Sequence, residues 1–132
     1  MTFIDKMAWI EIENRKILST RTKGKDTFYF PGGKRDTNET DEQALIREIK
    51  EELTVDLLPQ TIRFFGKFEA QAHGFPTGIN VLMTCYSADY VGNISASSEI
   101  EEIDWLTYAD RERTSTVDKI IFGFLKKHDL ID

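Results

Sequence analysis

The chain has 132 residues, with 17 Lys or Arg against 23 Asp or Glu, so its formal charge is -6 at neutral pH. With 40% hydrophobic residues and a lone cysteine, Cys85, it has the composition of one compact domain that needs no disulfide or structural metal. Its acidic charge excludes binding of long nucleic acid through phosphate neutralisation. The absence of a long apolar run excludes a membrane span.

The ends and the interior of the sequence predict one undivided domain. Asp5, Lys6 and Glu11 interrupt the first apolar residues, so no signal peptide is expected and a reducing cytoplasmic location is the default prediction. No Gly/Ser-rich or Pro-rich linker and no internal repeat divides the chain. We therefore predict a single domain over residues 1–132.

The first third of the chain predicts short strands. Residues 7–12 and 16–20 are rich in Ile, Trp and Leu and are separated by a polar turn, which predicts an antiparallel hairpin. Residues 27–30 form a short aromatic segment that ends at Pro31, which predicts a third strand.

Residues 41–53 predict an amphipathic helix. The segment contains no Gly or Pro, and Leu45, Ile49 and Leu53 recur at four-residue steps. Thr40 is expected to cap the helix, with Gln43 three residues later completing a capping box.

The remainder of the chain predicts three more extended segments and a second helix. The extended segments are at about 62–72, 79–90 and 100–106, and apolar residues at helical spacing occupy 117–126. Several strands with two separated helices predict an α+β domain in which a mixed β-sheet lies between helices.

The chemistry is concentrated in residues 32–55, where two glycines lead into the first helix. Glu48 and Glu52 are like charges four residues apart beside the buried stripe of that helix, and Glu51 lies one step further round. A solvated, charged face is the ordinary interpretation, but it leaves the repulsion between these carboxylates unexplained. A divalent cation would neutralise them, and oxygen ligands at this density suit Mg²⁺ or Mn²⁺.

The loop before the helix has both a plain and a functional interpretation. Pro-Gly-Gly is a common turn, yet glycines next to a metal-binding helix let the backbone approach a phosphate, and the Gly32 carbonyl is a further hard ligand. Glu39 and Arg47 either form a surface ion pair or tie the loop to the helix through the planar guanidinium fork.

The spacing of these residues resembles a known family motif. Gly33 is followed after five residues by Glu39, and after seven more by Arg47-Glu48, an apolar residue, Lys50, Glu51-Glu52, Leu53, Thr54 and Val55. Residues 33–55 thus resemble the box of the Nudix (MutT-like) hydrolases at eight of its nine defined positions, over about a sixth of the chain. The aromatic strand before the box and the acidic segment at residues 99–106 also resemble this family.

The resemblance implies a Nudix-type α/β/α sandwich and metal-dependent cleavage of a nucleoside diphosphate linked to another group. It also implies that Glu48, Glu51, Glu52 and the Gly32 carbonyl hold the metal, with Gly33, Glu39 and Arg47 as the scaffold of the box. The departure is Thr54, where the family usually has Gly. Because a β-branched residue is strained at positive φ, we expect the helix to end without a left-handed cap.

The general base and the substrate contacts are less sharply defined. Glu48 is the first choice for the base, beside Glu52 in the catalytic group. A glutamate from a loop, Glu99 or Glu102, is the alternative base and a further metal ligand, or ordinary surface. The candidates for substrate contact are Arg21 and Lys34 for phosphate and Phe30 for stacking on the base.

The predicted reaction is Mg²⁺-dependent hydrolysis of a pyrophosphate linkage, with a nucleoside triphosphate, including oxidised or non-standard ones, as the small-molecule substrate and monophosphate plus pyrophosphate as products. ADP-ribose or another nucleoside diphosphate derivative is the alternative within the enzyme class. An inactive nucleotide-binding sensor with the same fold is the alternative from another class. No membrane or long nucleic acid is expected as a partner, and a homodimer is left open.

Overall fold

The computed structural model describes residues 2–132, and their side chains from residue 3 onward. These residues form ten strands, two α-helices and two short 3-10 helices, at Pro59–Thr61 and Tyr108–Arg113. The strands are β1 (Thr2–Trp9), β2 (Ile12–Glu13), β3 (Lys16–Thr22), β4 (Phe28–Tyr29), β5 (Gly32–Gly33), β6 (Asp56–Leu57), β7 (Arg63–Gln71), β8 (Ile79–Ser87), β9 (Tyr90–Val91) and β10 (Ile100–Leu106). The helices are α1 (Asp41–Leu53) and α2 (Thr116–Lys127).

The strands form a mixed central sheet and two smaller sheets. The central sheet has the order β5-β1-β8-β7, in which β1 and β8 run parallel and the two outer pairs run antiparallel. A second sheet has the order β10-β3-β2, with β4 also paired to β3, and β6 pairs with β9. The mixed sheet predicted from the sequence is confirmed.

Two apolar clusters cover opposite sides of the sheets, one under each helix. Along β1, Met7 and Trp9 belong to the cluster under α1, whereas Ala8 and Ile10 belong to the cluster under α2. This alternation follows from the two-residue period of a strand. Because both faces are apolar and each is covered by a helix, the domain is the α+β sandwich that the sequence predicted.

The predicted hairpin between residues 7–12 and 16–20 is wrong in its extent. Strand β1 ends at Trp9 and pairs with β8 instead of β3, and only Ile12 and Glu13 pair with the start of β3. The turn residues Asn14 and Arg15 have φ of 53° and 63°, as in the two-residue turns that fit a twisted hairpin. That turn sets the register between β2 and β3. Residues 10–11, which belong to no strand, separate β1 from β2.

Helix α1 has the predicted bounds, and the capping box of Thr40 and Gln43 is confirmed. The expectation that the helix ends without a left-handed cap is wrong. Thr54 itself adopts the left-handed conformation, with φ 63° and ψ 16°, and its amide donates to the Lys50 carbonyl at 3.1 Å. Its hydroxyl donates to the Asn93 carbonyl at 3.3 Å, which helps to hold this strained residue in place.

The other predicted elements are present with small changes. The strand predicted at 27–30 is β4, and the segment predicted at 62–72 is β7. The segment predicted at 79–90 divides into β8 and β9, whereas the predicted strand 100–106 and the second helix are confirmed. Within residues 2–132, neither helix has the length and apolar character needed to cross a membrane.

Candidate active site

The Gly32–Gly33 segment forms the short edge strand β5, which lies against β1. Gly32 pairs with Ala8 and has φ of 150°, and a Cβ atom there would overlap the Met7 carbonyl oxygen. Gly33 pairs with Met7. A side chain at residue 32 would therefore push β5 away from the central sheet.

Gly33 also makes room for the first glutamate of the motif. A Cβ atom on Gly33 would lie 2.5 Å from Glu48 Cδ and 2.6 Å from its Oε2. The Glu48 carboxyl group therefore rests directly against the backbone of the glycine loop. This contact brings a carboxylate of α1 next to β5, and the role of Glu48 as a metal ligand stays a prediction.

Glu39 and Arg47 join the loop to the helix. Arg47 donates to Glu39 through two nitrogens, at 2.8 and 2.9 Å, and also to the Lys34 carbonyl at 3.1 Å. Glu39 in turn accepts from the Asp36 amide at 2.7 Å. The Arg47 guanidinium and this amide lower the pKa of Glu39 to about 2, so Glu39 is ionised over the working range of pH.

Glu48 and Glu52 are the two carboxylates that α1 places beside the glycine loop. Arg47 donates to Glu48 at 2.8 Å, but burial outweighs that ion pair and raises the pKa of Glu48. Among residues 3–132, the Glu52 side chain accepts a single hydrogen bond, a long one of 3.4 Å from the Gly32 amide. Burial and the nearby Glu48 raise the pKa of Glu52 to about 8. For both carboxyl groups, burial therefore outweighs the nearby positive charge, Arg47 for Glu48 and Lys6 for Glu52.

Glu51 occupies the outer side of the same face. Its side chain is 53% exposed and lies 3.6 Å from Arg47. Within residues 3–132, no three acidic, histidine or cysteine side chains already surround one point as a metal site would require. The donor set still fits a hard cation: it consists of carboxylate oxygens on one helix flank beside a backbone segment without side chains. The Gly32 carbonyl, Glu48, Glu51 and Glu52 are the groups that would hold it.

The structure does not bring the later acidic residues into contact with these glutamates. Glu102 lies on β10 and forms an ion pair with Arg21 at 3.1 Å, and Arg21 also contacts Glu101 at 2.8 Å. These contacts occupy the Arg21 guanidinium, which favours its structural interpretation over phosphate binding. Glu99 is exposed just before β10, next to Ile100, which lines the same cleft as Glu52. The roles of Glu99 and Glu102 stay predictions.

Phe30 and Lys34, the two remaining residues predicted to contact substrate, differ in their exposure to solvent. Phe30 is only 4% exposed, and its ring lies 5.4 Å from the Phe122 ring, centroid to centroid, in the core under α2. Little of its ring is exposed for stacking on a base, although Phe30 is one of the residues that line a cleft with Gly32 and Glu52. Its contact with substrate stays a prediction. Lys34 is exposed directly after the glycine loop, where Arg47 holds its carbonyl oxygen. Phosphate binding by Lys34 stays a prediction.

A cleft of about 200 Å³ leads from Gly32 and Glu52 along β1. Two further clefts, of about 90 and 430 Å³, adjoin it, and Tyr29 lines all three. His73 and Phe75 line the latter two clefts, and the Tyr29 and His73 rings meet edge to face at 6.2 Å. Sequence reasoning did not select Tyr29, because aromatic residues on strands are usually core.

Lys6 and Asp118 are two further residues that the sequence analysis did not single out. Asp118 is fully buried at the start of α2, where its Oδ2 accepts from the Phe30 amide at 2.9 Å and its Oδ1 has no partner within the described residues. Lys6 lies on β1, with the apolar residues Ile4 and Ala8 two positions away on either side. A charge at an otherwise apolar strand position was the available signal for Lys6, whereas nothing in the sequence marks Asp118 as buried.

Together, the two-helix sandwich and the glutamate-rich loop–helix segment define the class of the protein, which is that of a hydrolase. Residues 6–122 match the family model of the NUDIX domain, so the chain belongs to the Nudix family and is a Nudix hydrolase. Enzymes of this family generally use a divalent metal.

Known relatives share parts of the sequence, and solved structures share the fold. The chain is 47% identical over 47 residues to an 8-oxo-dGTP diphosphatase of Proteus vulgaris, and 41% identical over 64 residues to one of Escherichia coli K12. These matches cover 36% and 46% of this chain and span only 38% and 48% of the relatives' lengths.

Two solved structures match almost the whole chain. The E. coli ORF135 protein has a TM-score of 0.73 at 23% identity, over 96% of this chain and 92% of its own. The MutT protein of Methanosarcina mazei Go1 has a TM-score of 0.75 at 17% identity, over 97% and 96%. At these identities the likeness establishes the fold alone.

Proposed function

We propose that this Nudix hydrolase cleaves nucleoside triphosphates to the monophosphate and pyrophosphate in the presence of Mg²⁺. The observation that carries the proposal is the placement of the Glu48 and Glu52 carboxyl groups against the Gly32–Gly33 backbone. Carboxylates gathered on an acidic chain would repel a phosphate unless a cation lay between them. Mn²⁺ is the expected substitute for Mg²⁺.

The chain's own residues have distinct tasks in this reaction. Glu48, Glu51, Glu52 and the Gly32 carbonyl would hold the metal, which when bound neutralises phosphate charge and lowers the pKa of a coordinated water. Gly33 leaves room for the Glu48 carboxyl group, and the adjacent Lys34 is exposed and able to donate to the phosphates. The Glu39–Arg47 ion pair keeps this loop at a fixed distance from α1.

Glu48 is the proposed general base, with Glu52 beside it in the catalytic group. Arg47 engages one oxygen of Glu48, Oε1, in a 2.8 Å hydrogen bond. The other oxygen, Oε2, faces the glycine loop, where a water attacking the phosphorus would pass its proton. Because the attacking water must lose a proton, we expect an alkaline pH optimum.

The substrate assignment is supported by the clefts and by the partial relatives. Three adjoining clefts share the Tyr29 side chain, and the 200 Å³ cleft among them is also lined by the glycine loop. Tyr29 thus gives an aromatic surface for one base. Both matching curated relatives are named as 8-oxo-dGTP diphosphatases, so oxidised purine triphosphates belong in the substrate class. We propose that the chain performs this reaction as a single domain.

The test is a substrate panel at equal concentrations with Mg²⁺. It contains ordinary triphosphates, 8-oxo-dGTP, ADP-ribose, nucleotide sugars and dinucleoside polyphosphates, with pyrophosphate and monophosphate release as readouts. We expect triphosphates to lead by more than about tenfold in kcat/KM, which is about 1.4 kcal/mol. A comparable lead for ADP-ribose or a nucleotide sugar would overturn the substrate assignment.

Two controls separate the chemistry from the substrate choice. Exhaustive EDTA treatment should abolish turnover, and Mg²⁺ should restore it; turnover that survives EDTA contradicts the metal assignment. Glu48→Gln should lower kcat by about 10² to 10⁴ if Glu48 is the base. Glu42→Gln makes the same substitution on the exposed first turn of the same helix and should leave kcat unchanged.

A further inference from the structure

Lys6 is a charged side chain on an apolar strand face. Ile4, Ala8 and Ile10 share its side of β1 and contact the cluster under α2. Lys6 is half-buried, yet among residues 3–132 no carboxylate or other acceptor forms an ion pair or hydrogen bond with its ammonium. The Lys6 Nζ lies over the Tyr29 ring, 5.8 Å from the ring centroid. Such a lysine has donors free to bind a ligand.

The position of Lys6 is between the catalytic carboxylates and the aromatic clefts. It lines the 200 Å³ cleft that contains Glu52 and Gly32, and also the 90 Å³ cleft that contains His73 and Phe75. The Lys6 ammonium is within electrostatic reach of Glu48 and Glu52 on α1 and of Asp118 on α2, which attract it, and of Lys34, which repels it. A substrate with its phosphates at Glu52 would have to pass Lys6 to reach the aromatic clefts.

The aromatic clefts suit a flat ring. Tyr29 and His73 form an edge-to-face pair, and Phe75 is 52% exposed on the same wall. A base stacked on these rings presents its polar edge, not its face, to a neighbouring side chain. Lys6 offers three donors and no acceptor, so it matches a ring carbonyl oxygen and does not match a ring amino group.

From this placement, and resting on the proposed function, we infer that Lys6 is a specificity-determining residue that donates a hydrogen bond to a carbonyl oxygen of the base. The site would then favour bases with an oxo group over those with an amino group at the edge facing Lys6. A site that hydrogen-bonds one group discriminates strongly against an analogue that leaves its donor unpaired.

The test uses two substrate pairs that each differ in one group. UTP and CTP differ by oxo or amino at one ring carbon, and so do ITP and ATP. We expect the protein to prefer the oxo member of at least one pair by about tenfold in kcat/KM. Lys6→Met, which keeps the length and removes the charged donor, should reduce that preference to less than about threefold, mainly through a higher KM for the oxo substrate.

Lys67→Met is the matched control, because Lys67 is exposed on β7 and lies outside the three clefts; it should leave the preference unchanged. Melting curves of both variants should overlay that of the wild type. An equal loss on all four substrates in Lys6→Met would overturn the inference and assign Lys6 to phosphate binding. Unchanged kinetics would also overturn it.

The inference and the proposed function fail in different ways. Absence of turnover for every triphosphate would contradict the proposed function. Dissociation constants of the same four nucleotides, measured in Ca²⁺ by calorimetry, then decide the role of Lys6 independently. Tighter binding of the oxo members that is lost in Lys6→Met supports the inference, and equal binding of oxo and amino members contradicts it.

Discussion

The Glu48 carboxyl group occupies the space where a side chain on Gly33 would begin, with 2.5 Å between Glu48 Cδ and a Cβ built on Gly33. Gly33→Ala therefore has to displace Glu48. Because the end of a glutamate side chain is flexible, we expect a loss of stability of only about 1 kcal/mol. A displacement of about 1 Å in a catalytic group lowers activity by about 10², so kcat/KM should fall by about this factor.

Gly123→Ala is the control for this variant. Gly123 lies in α2, and a Cβ there meets no atom within 4 Å, so the alanine should be neutral or should stabilise by up to about 1 kcal/mol. Activity and thermal melting measured on both variants check the comparison. Full activity in Gly33→Ala would mean that the observed contact with Glu48 has no catalytic importance.

The glycine loop and α1 could be predicted from the sequence because their signals are local. Thr40 and Gln43 fix the start of the helix, and the four-residue steps of Leu45, Ile49 and Leu53 define its buried stripe. The ion pair of Glu39 and Arg47 follows from the same spacing, since the loop returns to the helix within eight residues. The capping box, the apolar spacing and this ion pair each involve residues that are close together in the sequence.

The parts that could not be predicted depend on distant partners. Residues 2–9 pair with β8, about 77 residues away in the sequence. The apolar pattern of a strand shows which of its faces is buried but does not identify the strand with which it pairs. The burial of Asp118 and the half-buried position of Lys6 follow from that arrangement, so neither is visible before folding. At Thr54, the strain argument predicted the wrong conformation because a segment about 40 residues away also holds the end of α1. The Ser95 and Ser97 amides donate to the Leu53 and Glu52 carbonyls at 3.0 Å.

Glu51 and Glu52 are adjacent in sequence but differ in burial, so their glutamine variants should differ in stability. Without metal, Glu52→Gln should melt higher than the wild type, because it removes a buried carboxylate that Glu48 repels. Glu51→Gln should stay within about 0.5 kcal/mol, as is usual for an exposed position. Both variants should lose about 10² or more in kcat if both side chains hold the metal.

Melting without metal and kcat with Mg²⁺ are the measurements. A Glu52→Gln variant that melts far lower and keeps its rate would make this glutamate structural. A Glu51→Gln variant with full activity would remove Glu51 alone from the proposed ligand set.

Asp118 should make stability depend on pH. Burial raises the pKa of Asp118 from its ordinary 3.8 to about 7. Between these values the unfolded chain has released the proton that the folded protein still holds, so the free energy of unfolding of the wild type should fall as pH rises through this window. Above pH 7 both states are ionised, and this contribution becomes constant.

Asp118→Asn isolates this effect, because asparagine does not titrate and its amide oxygen still accepts from the Phe30 amide. The variant should gain stability relative to the wild type between about pH 4 and 7, as measured by denaturant unfolding at several pH values. Parallel curves for the two proteins would show that Asp118 keeps an ordinary pKa in the folded state.

Thr54→Gly should stabilise the protein. A non-glycine residue in the left-handed conformation is strained by about 1 to 2 kcal/mol, and Thr54 has φ of 63° at the end of α1. Glycine relieves this strain but adds about 0.5 to 1 kcal/mol of conformational entropy to the unfolded chain. Loss of the hydrogen bond to Asn93, 3.3 Å long and exposed, subtracts little. We expect a net gain of about 0.5 to 1 kcal/mol, or about 2 to 4 °C in Tm.

Thr54→Ala is the control, because it removes the same hydroxyl and keeps the strain, so it should melt at or below the wild-type temperature. If glycine and alanine lower Tm equally, the hydroxyl contact to Asn93 outweighs the strain, and the family's usual glycine would bring no advantage to this chain.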